Sequence, residues 1–223
     1  MNAMRGALIP MKALAEAKMR LADVLDRHER EELALAMLSD VINACTESGC
    51  FDVIGVVSSD SDVFWHAREL GAKPIAEPAT LSGLNESLTF AQRYMARRIA
   101  VSELVILPAD IPLARAEDVT AIVAALEGPG DRAALVRARD GGTNALALRP
   151  PELLPMRFGA ASADAHAAEA RQRSVETIML DLPRVAFDVD APEDLEALAS
   201  MSAGAATRGW LDARAHFAPG HAG

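Results

Sequence analysis

ELVILPADIPL, residues 103–113, joins a short apolar run to an acidic residue that stands between two prolines. Such a run predicts a buried strand of a parallel sheet. Pro108 and Pro112 fix the backbone on either side of Asp110. Ligands bind at the carboxyl ends of strands in open α/β sheets, so the pattern predicts a metal or phosphate site at Asp110. A turn or a helix cap is the alternative for this carboxylate.

Short apolar runs alternate with segments of helical period along the rest of the chain. The order predicts an α/β fold, with a mostly parallel sheet and helices on both faces. Residues 1–202 are expected to form one domain, followed by an Ala/Gly-rich tail over 203–223. Trp210 and Phe217 order this tail in part, or it is frayed. Predicted strands are Gly6–Met11, Asp52–Val57, Lys73–Ala76, Glu103–Leu107, Arg132–Arg137, Ala145–Leu148 and Val175–Leu180. Predicted helices are Glu29–Cys45, Ser61–Leu70, Glu86–Arg98, Arg115–Leu126, Ala161–Arg173 and Pro192–Ala199.

Composition excludes several classes of protein. The chain has 223 residues, a hydrophobic fraction of 51% and a formal net charge of −10, which argues against nucleic acid or an anionic membrane as a partner. No apolar run is long enough to span a bilayer. Two cysteines are too few for a disulfide framework, so a cytoplasmic location is expected.

Common catalytic motifs are absent from the sequence. It contains no GxxxxGK[ST], no HExxH and no GxSxG, and its five histidines do not cluster along the chain. Gly128-Pro-Gly130 begins a superficial GxGxx[GA] match, but it follows a predicted helix and precedes a strand, the reverse of a dinucleotide-binding motif. These absences weaken the hydrolase and dehydrogenase interpretations.

Cations follow the first predicted strand, in PMKALAEAKMRL, residues 10–21. Lys12, Lys18 and Arg20 all fall there, although the chain has only three lysines among its 22 cationic residues. At the carboxyl edge of a parallel sheet these side chains could converge on a polyphosphate. A solvated basic loop is the alternative.

A second acidic motif, DVDAPEDL, covers residues 188–195. Asp188 and Asp190 alternate, so a regular strand places their side chains on opposite faces, and both need not bind one metal. Asp190 is a metal-ligand candidate or the cap of the helix that begins at Pro192.

Two small-residue turns complete the candidate sites. GGTNAL, residues 141–146, combines close backbone approach with the hydrogen-bonding side chains Thr143 and Asn144. FGAAS, residues 158–162, leads into a helix whose backbone N–H groups suit an anion. Ordinary turn chemistry is the alternative for both segments.

Six motifs occur together in one order: the basic segment 10–21, Gly83-Leu84-Asn85, LPADIPL, GGTNAL, FGAAS and DVDAPEDL. In this the chain resembles the CofC/FbiD guanylyltransferases of coenzyme F420 biosynthesis, over roughly residues 5 to 200. The resemblance implies a Rossmann-like mixed sheet of the GT-A nucleotidyltransferase type. It also implies that GTP and a three-carbon phosphorylated acid react with release of pyrophosphate. The acid is 2-phospho-L-lactate, phosphoenolpyruvate or 3-phospho-D-glycerate, and two Mg²⁺ ions are the expected cofactor.

The resemblance also assigns roles to individual residues. Asp110 matches the family's metal aspartate, and Asp188 or Asp190 matches the second acidic position. Lys12, Lys18 and Arg20 match the cations around the triphosphate of GTP. Thr143, Gly159 and Ser162 match the residues that bind the phosphorylated acid. Gly83, Leu84 and Asn85 match the loop at the guanine. Met19 departs from the family, which commonly has Thr or Ser there.

Two other functions stay open from the sequence. One is nucleotidyl transfer to a different phosphorylated acceptor, although relatives of that kind usually carry a glycine-rich loop where this chain has IPMKALAEAKMRL. The other is a nucleotide-binding protein without catalysis, against which the intact Asp110 and Asp190 argue. A homodimer is compatible with the resemblance, but no apolar stripe in the sequence demands one.

Overall fold

A seven-stranded sheet forms the centre of the computed structural model, which describes residues 4–214. The strands lie in the order β3-β2-β1-β4-β6-β5-β7. Only β6 runs antiparallel to its neighbours, so the predicted mixed, mostly parallel sheet is confirmed. The strands are β1 (Arg5–Pro10), β2 (Val53–Ser58), β3 (Lys73–Ala76), β4 (Glu103–Ile106), β5 (Arg132–Arg137), β6 (Thr143–Arg149) and β7 (Glu176–Leu180).

Seven α-helices accompany these strands within residues 4–214. They are α1 (Arg27–Glu47), α2 (Ser61–Glu69), α3 (Leu84–Tyr94), α4 (Ala116–Ala124), α5 (Ser162–Gln172), α6 (Pro192–Ala199) and α7 (Ala205–Asp212). A π-helical turn, Met95–Ile99, continues α3, and two short 3-10 turns follow β1 at Leu14–Glu16 and Met19–Leu21. Within this part of the chain, no helix is both long and apolar enough to cross a membrane.

Both faces of the sheet are covered, as the sequence predicts. Successive strand residues point to opposite faces, so Ile9 belongs to one apolar core with α1, α2 and α4, and Leu8 belongs to another with α3 and α5. A third apolar cluster joins α1 to α6 and α7 through residues such as Leu33, Leu195 and Leu211.

The beginning of the predicted tail is helical. The buried carboxylate of Asp40 on α1 accepts hydrogen bonds from the backbone N–H groups of Ala206 and Thr207, both at 2.9 Å, and so caps α7. A Cβ at Gly204 would lie 2.2 Å from the Asp40 Cγ, so this close approach requires glycine. Trp210 packs in the third cluster, whereas Phe217 lies outside the described residues. The domain boundary at residue 202 stays a prediction.

The strand order creates a crevice between β1 and β4. From β1 the chain adds β2 and then β3 on one side, whereas β4 pairs with the other side of β1. The loops that leave β1 and β4 therefore diverge, and such a switch point is where open α/β sheets bind ligands. Both the basic segment and the Pro-Ala-Asp motif leave the sheet at this place.

Candidate active site

A pocket of about 540 Å³ lies at this switch point. The segment after β1 and the segment after β4 form two of its walls, and α1 contributes a third. Its lining includes the predicted residues Lys12, Lys18, Arg20, Leu84, Asp110 and Asp190. Residues that are 180 positions apart in the sequence thus meet at one site.

The side chain of Lys18 connects two carboxylates. Its Nζ donates hydrogen bonds to Asp110 Oδ2 at 2.5 Å and to Asp190 Oδ1 at 2.9 Å. The Lys18 side chain is only 9% exposed, while those of Asp110 and Asp190 are 26% and 43% exposed. Arg20 is the outer cation, with its Nη1 3.9 Å from Asp190 Oδ2. Two acids and a nearly buried ammonium therefore form the polar floor of the pocket.

The charge state of Lys18 follows from these contacts. Burial lowers the pKa of the ammonium, but the charges of Asp110 and Asp190 outweigh burial and raise that pKa above its usual value. Lys18 is therefore positively charged at neutral pH. Its backbone is left-handed, with φ at 49°, and it stands directly before the second 3-10 turn.

Asp188 lies behind these groups. Its Oδ1 accepts a hydrogen bond from Asn144 Nδ2 at 3.3 Å, and Asn144 also donates to the carbonyl oxygen of Val185 at 3.0 Å. Burial, followed by the negative charge of Asp110, raises the pKa of the Asp188 carboxyl. The three predicted acids therefore interact electrostatically.

A bulge at the start of β6 aims Asn144 at this group. Arg137 pairs with Thr143 and Val136 pairs with Ala145, so Asn144 is the extra residue of the ladder. A bulge turns a side chain away from the regular alternation of a strand. The GGTNAL motif indicates that Asn144 forms hydrogen bonds but predicts no specific role for it.

The 187–190 segment corrects two expectations. It forms no strand, and Val189 donates its N–H to the carbonyl oxygen of Asp110 at 3.1 Å, so strand alternation does not separate Asp188 from Asp190. Nor does Asp190 cap the next helix. Ala191 is the N-cap of α6, and the carboxylate of Asp194 accepts from the N–H groups of both Asp190 and Ala191. The Asp190 carboxylate is thus left for the pocket.

Arg30 supports the basic segment and was missed from the sequence. Its buried guanidinium donates to the carbonyl oxygen of Ala17 at 2.8 Å and contacts Met19 Sδ at 3.1 Å. Arg30 stands three and four residues before the buried Leu33 and Ala34, and an arginine on the core-facing side of a helix was the available signal.

A smaller pocket of about 130 Å³ adjoins the first and shares Lys12 and Leu84 with it. Gly83 also lines this space and has φ at +92°, a conformation that favours glycine, at the N-cap of α3. The predicted guanine-contact residues Gly83 and Leu84 therefore lie together beside the cationic pocket.

Asn85 is placed differently from its two neighbours. Its amide nitrogen donates to the carbonyl oxygen of Phe158 at 2.9 Å, and its amide oxygen accepts from the Phe158 N–H at 2.7 Å. Both polar atoms of the side chain are thus engaged with the loop before α5. Asn85 lines neither the cationic pocket nor the smaller one beside it.

Thr143 and Ser162 meet in a buried cluster with His166. Thr143 Oγ1 lies 2.9 Å from Ser162 Oγ and 3.1 Å from His166 Nδ1. The third predicted acid-binding residue, Gly159, is exposed and accepts a hydrogen bond from the Ser162 N–H at 3.1 Å. Since the N–H of Ala163 also bonds to Gly141, the first two N–H groups of α5 are used within the protein.

His166 is the second residue that the sequence analysis missed. The five histidines do not cluster along the chain, but this one contacts the Thr143 hydroxyl, which in turn contacts that of Ser162. His166 lies four residues after Ser162 in a predicted helix. This spacing places both side chains on one face of the helix and could have indicated that they lie close together.

Comparison with known proteins identifies the family. A family model described as "Guanylyl transferase CofC like" matches residues 5–216. A phosphoenolpyruvate guanylyltransferase of Sphaerobacter thermophilus is 40% identical over 193 residues, 86% of this chain and 91% of its own. A 3-phospho-D-glycerate guanylyltransferase of Phenylobacterium zucineum is 33% identical, covering 86% and 88%. A 2-phospho-L-lactate guanylyltransferase of Methanothermobacter thermautotrophicus is 35% identical, covering 92% and 88%.

Solved structures support the fold. A nucleotidyl transferase from Methanothermobacter thermautotrophicus has a TM-score of 0.66 at 13% identity, covering 96% of this chain and 100% of its own. A glucosyl-3-phosphoglycerate synthase of Mycobacterium tuberculosis, in complex with Mn²⁺, UDP and phosphoglyceric acid, has a TM-score of 0.56 at 14% identity, covering 80% and 69%. The resemblance carried by the six motifs and the expected nucleotidyltransferase fold are both confirmed, and the chain belongs to the CofC family of guanylyl transferases.

Proposed function

We propose that this protein joins GMP from GTP to a three-carbon phosphorylated acid and releases pyrophosphate, as a step of coenzyme F420 biosynthesis. The observation that carries the proposal is the contact of Lys18 with both Asp110 and Asp190 in a pocket at the β1/β4 switch point. A cation and two acids at such an edge suit a metal-bound polyphosphate.

The nucleotide fits along the two adjoining pockets. Lys12, Lys18 and Arg20 supply positive charge for the triphosphate in the larger pocket. Gly83 and Leu84 border the smaller pocket, where we place the guanine. The side chain of Asn85 is assigned to the loop at Phe158 instead, because both of its polar atoms bond there.

The chemistry requires no general base. A phosphate oxygen of the acid, already an anion, attacks the α-phosphorus of GTP, while the bond to the β-phosphate oxygen breaks and pyrophosphate leaves. Among residues 4–214, no histidine lines the larger pocket, which agrees with a reaction that needs no general base. The protein's contribution is to hold the reactants in line and to balance their charge.

Magnesium fits the donor set of this site. Within the described residues no group of three or more His, Cys, Asp or Glu side chains is arranged to hold a metal on its own. Mg²⁺ is commonly bound by only one or two carboxylates together with substrate phosphates, which matches the partly exposed Asp110 and Asp190. Asp110, Asp188 and Asp190 are the residues we assign to two Mg²⁺ ions. When bound, these ions neutralise charge on the phosphates.

The acid is assigned to Thr143, Gly159 and Ser162. Phosphoenolpyruvate, 3-phospho-D-glycerate and 2-phospho-L-lactate are the substrates in the names of the relatives, and all three present a phosphate and a carboxylate. Two adjacent hydroxyls and a glycine suit such a doubly anionic molecule. A cytoplasmic location completes the proposal, since the chain has only two cysteines, and a homodimer is compatible with it.

Pyrophosphate release tests the proposal. The protein is supplied with GTP, Mg²⁺ and each of the three acids in turn, and ATP and CTP replace GTP in control reactions. Release with GTP and one acid, but not with ATP or CTP, is the expected result. A folded protein that binds GTP and releases nothing with any acid would contradict it, and would favour another acceptor or a non-catalytic nucleotide-binding role.

A further inference from the structure

The hydrogen bonds around His166 determine which of its ring nitrogens carries a proton. The backbone N–H of Arg157 points at His166 Nε2 at 3.1 Å. An N–H group only donates, so Nε2 must accept and carries no hydrogen. Burial, and next the charge of Arg157, lower the pKa of the imidazole to about 4, so the ring is neutral at pH 7. The single ring proton is therefore on Nδ1.

A second contact agrees with this tautomer. The backbone of Ser162 also forms a hydrogen bond with the imidazole. The side chain of Arg157 is itself paired, with its Nη2 2.9 Å from Glu169 Oε2, and the Phe158 ring meets the imidazole edge-on at 5.1 Å between centroids. The Ser162 contact raises the imidazole pKa, as an acceptor of a ring hydrogen does, and the Arg157 N–H at Nε2 leaves Nδ1 as the ring donor.

The tautomer of His166 determines whether the hydroxyls of Thr143 and Ser162 have a free proton to donate. Because His166 Nδ1 carries a hydrogen, it cannot accept one from Thr143. The contact of 2.9 Å between the two hydroxyls uses one of their two protons. One hydroxyl proton is left over, and within residues 4–214 no further side-chain or backbone acceptor contacts either oxygen. With the opposite tautomer, Thr143 would donate to Nδ1, Ser162 would donate to Thr143, and no proton would be left.

We propose that His166 is a positioning residue that makes the Thr143–Ser162 pair a hydrogen-bond donor toward the phosphorylated acid. The inference rests on the proposed function, which places the acid at these two hydroxyls. An anionic phosphate or carboxylate accepts hydrogen bonds and donates none, so a pair with no free proton would bind it poorly. His166 acts through Thr143 and touches no reacting atom.

Nitrogen NMR of the wild-type protein tests the tautomer directly. The protein is labelled with ¹⁵N at histidine, and long-range ¹H–¹⁵N spectra are recorded at pH 7 with and without each acid. The His166 signals are identified by their loss in His166→Asn. We expect a protonated Nδ1 and an unprotonated Nε2. A proton on Nε2 would overturn the proposal, whatever the activity of the protein.

Two variants of equal size test the consequence for binding. His166→Asn can place an amide N–H where Nδ1 stands, whereas His166→Asp presents only acceptors there and takes up the free hydroxyl proton. We expect the KM for the acid to stay within about threefold in His166→Asn and to rise about tenfold or more in His166→Asp, with the KM for GTP changing less.

A charge control accompanies the pair. Ala167→Asp adds the same negative charge one residue along α5, on a neighbouring face of the helix. Its KM for the acid should remain near the wild-type value. The proposal would be overturned if His166→Asn and His166→Asp changed the KM for the acid equally. It would also be overturned if Ala167→Asp changed this KM as much as His166→Asp does. A wild-type protein that uses no acid would contradict the proposed function instead, and would leave the NMR result standing.

Discussion

The ammonium of Lys18 lies between the carboxylates of Asp110 and Asp190, residues that are 92 and 172 positions away in the sequence. This contact joins the loop after β1 to the end of β4 and to the 187–190 segment. The opposite charges offset the unfavourable burial of the ammonium, which explains its raised pKa. We also assign the carboxylates of Asp110 and Asp190 to metal binding. Lys18 and a bound divalent cation would therefore both neutralise the negative charge of these two side chains.

Replacing Lys18 by methionine should make protein stability depend on divalent cations. Lys18→Met leaves Asp110 and Asp190 with only the exposed outer cation Arg20 as a counter-charge, so we expect a loss of about 1–3 kcal/mol in the free energy of unfolding. Thermal unfolding with and without MgCl₂ measures the effect, and Mg²⁺ should restore more stability to the variant than to the wild type. Lys12→Met, which removes an exposed cation of the same pocket, is the control. Equal Mg²⁺ effects on Lys18→Met and wild type would contradict the expectation.

Asp110→Asn should abolish turnover without unfolding the protein. The substitution keeps the size and an oxygen acceptor for Lys18, but it removes a charge that we assign to metal binding. We expect pyrophosphate release to fall by about a hundredfold or more while the melting temperature stays close to wild type. Asp62→Asn, at an exposed position on α2, is the matched control. A large drop in melting temperature would instead indicate a structural role.

Asp188→Asn should stabilise the protein and reduce its activity. Burial and the charge of Asp110 raise the pKa of this carboxyl, so its ionised form is unfavourable in the folded state. Removing the charge should add about 1 kcal/mol at pH 7, or a few degrees in melting temperature, and Asn keeps an oxygen for Asn144. The gain should shrink as the pH falls through the raised pKa of Asp188, and it should vanish below the usual pKa of 3.8, where the carboxyl is protonated in both the folded and the unfolded chain. A variant less stable than wild type at pH 7 would refute the electrostatic argument.

Asn85→Ala should affect the acid and not the choice of base. It removes two hydrogen bonds that hold Phe158, next to Gly159, which we assign to the acid. We expect the KM for the acid to rise several-fold and the unfolding free energy to fall by about 1–2 kcal/mol, with the preference for GTP over ATP retained. A lost preference for GTP would show that Asn85 contacts guanine, as the family resemblance implies.

His166 should make folding sensitive to acid. Burial lowers its pKa from the usual 6.5 to about 4, so the unfolded chain takes up a proton at higher pH than the folded protein. The stability from a neutral His166 is present above pH 6.5 and is lost as the pH falls toward 4, up to about 3 kcal/mol. Chemical denaturation at a series of pH values should show a smaller loss for His166→Asn. His66, whose pKa is also lowered by burial, contributes in both proteins.

Much of the fold follows from local sequence patterns. Lys73–Ala76, Arg132–Arg137 and Pro192–Ala199 have the predicted bounds, and the remaining predicted elements differ by a few residues at their ends. These elements have strong apolar runs or clear capping residues, so local preferences and burial agree. Helix α7 is different: it depends on the distant Asp40, and an Ala/Gly-rich sequence gives little local signal for it.

The sequence motifs predict individual residues of the candidate site, but they do not predict which of these residues contact one another. The motifs identify Lys18, Asp110 and Asp190 separately, but only the β1/β4 crossing brings them within hydrogen-bond distance. The sequence motifs do not predict roles for Arg30 and His166, because each acts through another residue. Such a role depends on tertiary contacts. The prediction that Asp190 could cap α6 was wrong, since Ala191 is the N-cap and the carboxylate of Asp194 accepts from the N–H groups of Asp190 and Ala191.

In the proposed reaction, a phosphate oxygen of the acid attacks the α-phosphorus of GTP. The direct measurement is mass spectrometry of products formed from GTP, Mg²⁺ and an acid with ¹⁸O in its phosphate group, run for each of the three acids. We predict a product in which GMP is joined to one acid and retains all of the acid's ¹⁸O, together with unlabelled pyrophosphate. Consumption of GTP without such a product, or ¹⁸O in the pyrophosphate, would contradict the account.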